Sequence, residues 1–123
     1  MNNHKLLEMA AKAAGLTIDK SKYNGAGCSN TGFDVLGNVV LDWHNGVKWN
    51  PLTNDGDAFR LATKLKIDLT FMVGANEVGA SSGNYERGIF GALEFITDDS
   101  AAAARRAIVR FAADIGVNKN ECH

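Results

Sequence analysis

The run Leu41-Asp42-Trp43-His44-Asn45-Gly46-Val47-Lys48-Trp49-Asn50-Pro51-Leu52-Thr53-Asn54-Asp55-Gly56-Asp57-Ala58 decides the fold, because two kinds of secondary structure meet inside it. Asn45-Gly46 is a strong turn signal between residues 41–44 and 47–49, which predicts an antiparallel hairpin. Beyond Pro51, the side chains of Thr53, Asn54, Asp55 and Asp57 stand where a helix begins and its first N–H groups need acceptors. That helix is expected over about residues 55–66, with Phe59, Leu61, Ala62 and Leu65 as its apolar contacts and Lys64 and Lys66 near its negative end.

Toward the N-terminus, Leu6, Leu7, Ala10, Ala13 and Ala14 oppose Lys5, Glu8 and Lys12, so residues 3–14 read as an amphipathic helix. Asn2 or Asn3 caps it, Gly15 closes it, and Leu16 and Ile18 return the chain to the core. Residues 19–32 turn polar and contain glycine, and residues 33–43 read as one or two strands broken at Gly37-Asn38.

Toward the C-terminus, a strand is expected over residues 67–73, a mobile hairpin loop over 74–87 and a further strand over 89–96. Thr97 or Asp98 is the expected cap of a last helix, with Ala101, Ala104, Ile108, Phe111, Ala112 and Ile115 as its apolar stripe and Gly116 as its end. Residues 1–117 therefore read as a single α+β domain, followed by a flexible tail over 118–123. The expected architecture is a small antiparallel sheet of about three to five strands with about three helices packed mainly on one face.

The 123 residues, 46% hydrophobic and 22% charged, fit one soluble domain. A formal net charge of −1 gives no strong pull on nucleic acid or on an anionic membrane, so neither is an expected partner. No apolar run approaches the ~20 residues that span a bilayer, and the N-terminus is too interrupted for a signal peptide, so the reading is cytoplasmic. Cys28 and Cys122 read as free thiols, and the ending Glu121-Cys122-His123 is too few ligands for a structural zinc site.

Motif tests fail one after another. Gly25-Ala26-Gly27 has Asn30 where a dinucleotide fingerprint needs its third glycine. After Gly74 and Gly79, Ala80 and Ser81 stand where a phosphate loop needs Lys and Ser or Thr. With Gly56 placed at the sixth position of a calcium loop, Pro51 and Ala62 fall where carboxylates are required. Asp42 and His44 would share a strand face for general-base work but lack a third partner. No catalytic residue, metal site or cofactor is expected.

Two blocks resemble a known family. Trp49-Asn50-Pro51-Leu52-Thr53-Asn54-Asp55-Gly56-Asp57-Ala58 with Arg60-Leu61-Ala62, and Ala103-Ala104-Arg105-Arg106-Ala107-Ile108-Val109-Arg110 with Ala112-Ala113, look like the signature blocks of the NinX-like small proteins of lambdoid bacteriophages and prophages. The resemblance implies a phage or prophage accessory protein in the cytoplasm of a bacterial host, and no settled activity.

The functional expectation is a non-catalytic binding or interaction module. Its candidate residues are Trp49 as a stacking platform, Asn50 and Asp57 as polar readers, Asp55, and Arg60, Arg106 and Arg110 as anion contacts. The partner is a host or phage protein, or a small anionic, nucleotide-like ligand, and homodimerisation is a further option. Arg110 has an alternative role in an ion pair with Asp114 four residues on. The enzymatic alternative is a metal-assisted hydrolase using Asp55 and Asp57, or Asp42 with His44.

Overall fold

The structure, a computed structural model, describes residues 2–20, 32–82 and 91–121, with side chains as far as Val117. Cys28, Cys122, Gly25 and Gly27, Ile89 and residues 83–87 of the expected loop lie outside them. The described chain is α+β: three α-helices with two small antiparallel sheets.

Helix α1 spans Asn3–Ala13, and its start is fixed by Asn2, whose Oδ1 accepts from Lys5 N at 2.8 Å. Leu6, Leu7, Met9, Ala10, Ala11 and Ala13 are buried, and this stripe lies against the last helix. Gly15 follows at φ +77°, the left-handed conformation expected where a helix closes on glycine.

The hairpin expected around Asn45-Gly46 is present as β1, Val39–Asp42, and β2, Val47–Trp49, paired with Val39 opposite Trp49 and an irregularity between Val40 and Asp42. These two strands form a sheet of their own, so the strands divide between two sheets rather than joining one. Helix α2, Asp55–Leu65, comes next, and Asn54 caps it by accepting from Asp57 N at 2.8 Å. Its end is abrupt: Lys66 at φ 57° turns the chain left-handed and starts β3, Ile67–Met72.

The three-stranded sheet runs β3, β4, β5, with β4 at Glu77–Ser82 and β5 at Ala92–Phe95. Residues 77–82 correct the expected loop, since they form the central strand. Their small side chains are a packing requirement: Val78 and Ala80 have no exposed surface. The register places Ala80 opposite both Leu69 and Ala92, so one sheet face gathers Ile67, Val78, Ala80 and Ala92 beneath helix α3, Ser100–Glu121. Within that layer Phe111 is fully buried, and burying a side chain of this size stabilises by about 1.5–3 kcal/mol.

Two expectations for α3 are corrected. Its cap is Asp99, whose Oδ1 accepts from Ala102 N at 3.0 Å, not Thr97 or Asp98. Its backbone also runs through Gly116 to Glu121. A Cβ on Gly116 would stand 2.0 Å from the carbonyl oxygen of Met9, so the glycine is the notch that lets the α1 and α3 backbones touch. No helix among the described residues is long and apolar enough to cross a membrane.

Candidate functional site

The segment between β2 and α2 is organised by Asn50, which is buried beside the fully buried Pro51. Its backbone N–H donates to Asp57 Oδ2 at 2.8 Å, its Nδ2 to Asn38 Oδ1 at 3.0 Å, and its Oδ1 accepts from Leu52 N at 3.1 Å. Its carbonyl also receives Asn54 N at 2.9 Å. The polar groups of Asn50 are thus engaged in shaping the turn. Asp57 is likewise engaged, accepting from Asn50 N and from Arg60 Nη2 at 2.7 Å.

Trp49, the expected stacking platform, is 7% exposed and so presents little of its ring. What surface it keeps lines a groove of about 380 Å³ between the hairpin, α2 and the end of α1. Ala14, Leu41, Val47 and Leu61 supply the rest of the apolar lining. Lys48, Asp57, Arg60 and Lys64 supply its charges. The helix repeat explains the grouping, since positions 57, 60 and 64 follow one another up a single face of α2, with Leu61 beside them.

Lys48 pairs with Asp34 at 3.1 Å across the hairpin. Burial acts to raise the Asp34 pKa, but hydrogen bonds from Asn38 and Leu36 together with Lys48 outweigh it and hold the carboxyl below its ordinary value. Asp34 thereby fixes a turn in which Gly37 takes φ +86°, and the adjacent Val35 and Leu36 side chains project into solvent at 101% and 80% exposure.

The remaining candidates lie elsewhere. Asp55 pairs with Arg105 at 2.5 Å, and Arg105 also donates from Nε to the Leu52 carbonyl at 2.8 Å. Arg106 and Arg110 converge on Glu94 of β5 and do not line the groove. Arg110 donates further to the Leu93 carbonyl, so its partners are on β5 and the expected pair with Asp114 is corrected. Trp49, Asp57 and Arg60 are thus brought together, while Asp55, Arg106 and Arg110 are not.

The carboxylates have structural occupations. Asp42 accepts from both the backbone and the side-chain nitrogen of Asn45 within the hairpin turn. β1 ends at Asp42, so Asp42 and His44 do not share a strand face. No group of three or more His, Cys, Asp or Glu side chains is gathered for a metal among the described residues.

Sequence reasoning missed Lys48 and Lys64 as groove residues and Asp34 as the anchor of the turn. The spacing from Asp57 through Arg60 to Lys64 was a readable signal for Lys64, and Asp34 ahead of Gly37-Asn38 was one for the pinned turn. Comparison with protein-family models, with curated proteins and with solved structures finds no match.

Proposed function

We propose that the protein is a non-catalytic binding module whose ligand enters the groove between the hairpin and α2, and that it serves as a phage or prophage accessory protein in a bacterial cytoplasm. The observation that carries the binding reading is the convergence of a buried tryptophan, an apolar lining and the charged face of α2 on one open groove of about 380 Å³. Such a composition, apolar walls with a few placed polar groups, is that of small-molecule sites. The accessory assignment rests on the two blocks that resemble NinX-like proteins.

The test is the melting temperature of the purified protein against a panel of nucleotides, metabolite carboxylates and short oligonucleotides, repeated with Val47→Glu. Val47 is 45% exposed and lines the groove, so a carboxylate there obstructs the site without disturbing the core. A ligand at 100 times its dissociation constant adds about 2.7 kcal/mol to stability, a rise of several degrees. A rise that survives Val47→Glu would place the ligand elsewhere and end the reading.

A second reading, docking of a host or phage protein, is favoured by Val35 and Leu36, adjacent aliphatic side chains held outward on a pinned turn. Its test is loss of a specific captured partner on replacing both by Ser, with the melting temperature unchanged.

A further inference from the structure

The groove's charges do not count equally, and the imbalance bears on what it holds. Lys48 is matched by Asp34 at 3.1 Å, a carboxylate whose side chain is only 7% exposed and whose pKa is held low. Arg60 is matched by Asp57 at 2.7 Å. Lys64 also lines the groove, and it has no carboxylate partner among the described residues. One cation is therefore left unmatched beside an apolar surface that includes Trp49 and Leu61.

We infer that the groove takes a small amphipathic monoanion, a carboxylate on an apolar body, with Lys64 as its anchor. This rests on the groove being the binding site and adds to it the class of ligand. A volume of about 380 Å³ matches an apolar body of modest size. A phosphate monoester carries about −1.5 to −2 charge at neutral pH, more than the single unmatched cation answers. The ammonium of Lys64 is a compact charge on a flexible stem, suited to following a carboxylate while the stem lies along apolar surface.

The experiment is isothermal titration of the intact protein with octanoate, 1-octanol and adenosine monophosphate, with the indole N–H signal of Trp49 followed by NMR. Octanoate is expected to shift the Trp49 signal and to bind about fivefold more tightly than 1-octanol, the range of a solvent-facing ion pair. Lys64→Gln removes that preference and Lys64→Arg keeps it, and since Lys64 is exposed on α2 both variants fold. Equal binding of octanoate and 1-octanol at the Trp49 groove, or tighter binding of the nucleotide there, would overturn the monoanion inference and leave the groove as the site. If no probe moves the Trp49 signal, the groove itself fails as the site and the inference falls with it.

Discussion

Arg105 on α3 and Asp55 at the start of α2 are joined at 2.5 Å, and the same guanidinium holds the Leu52 carbonyl at 2.8 Å. The two ends of this link differ in burial, since the Arg105 side chain is 16% exposed and that of Asp55 is 78% exposed. The carbonyl bond is the sheltered part, and the carboxylate contact is open to water.

Arg105→Ala is therefore expected to destabilise by about 1–3 kcal/mol, because it strands the Leu52 carbonyl and removes packing between α2 and α3. Asp55→Ala is expected to change stability by less than about 1 kcal/mol. Urea unfolding of both variants checks the order. Equal losses would show that the ion pair, and not the carbonyl bond, dominates.

Glycines separate by what a methyl group would meet. At Gly91 a Cβ would lie 1.8 Å from the Phe111 ring, and at Gly116 it would lie 2.0 Å from the Met9 carbonyl oxygen. Gly91→Ala and Gly116→Ala are each expected to lower stability by about 1–3 kcal/mol or more through overpacking. At Gly15 nothing lies within 4 Å, so alanine there meets only the backbone penalty of φ +77°, about 1 kcal/mol. Thermal melts that rank Gly15→Ala as the most damaging of the three would refute the packing account.

Lys66 and Asn76 both adopt left-handed backbone, at φ 57° and 55°. Lys66→Gly is expected to stabilise by about 0.5–1 kcal/mol, since it relieves the Cβ strain at the end of α2. Asn76→Gly is expected to give no gain, because Asn tolerates this conformation and its Nδ2 also donates to the Ile96 carbonyl at 2.8 Å. Chemical denaturation of the pair provides the comparison.

Asp34 predicts a pH dependence. Its folded pKa lies below the ordinary value of 3.8, so its ionised form contributes stability above that pH, and the contribution is lost as pH falls through the lower folded value. Wild-type stability should decline more steeply below about pH 4 than that of Asp34→Asn, which carries no such group. Parallel acid titrations would refute the role given to the pinned turn.

The positions of α1, α2 and β3 were legible because their signals are local: Asn2 and Asn54 cap as their side chains allow, and apolar spacing marks the buried faces. Strand β4 was not legible, because Gly79, Ala80, Ser81 and Ser82 have the composition of a loop. The smallness of Ala80 answers to α3 above the sheet, a partner remote in sequence. Gly116 misled for the same reason, since a helix stop and a helix notch call for the same residue. Within the site, Asp57, Arg60 and Lys64 follow from helix spacing, but the diversion of Arg106 and Arg110 to Glu94 depends on where α3 crosses β5.

β1 and β2 form a sheet of their own, and the outer edge of β1 is held by a few backbone bonds, Val40 N to the Gly32 carbonyl at 2.8 Å and Asp19 N to the Val40 carbonyl at 2.9 Å, with side chains adding Asn50 to Asn38 and Asp57, and Trp43 to Asp19. With fewer ladder bonds than β4, which is paired on both sides, the hairpin is expected to open at a lower free energy. Amide hydrogen exchange should accordingly divide the molecule in two, with a faster hairpin and a slower three-stranded sheet. The groove draws one wall, Val47 and Trp49, from the hairpin and the other, Leu61 and Lys64, from α2, so whatever fills it would slow exchange most in the hairpin.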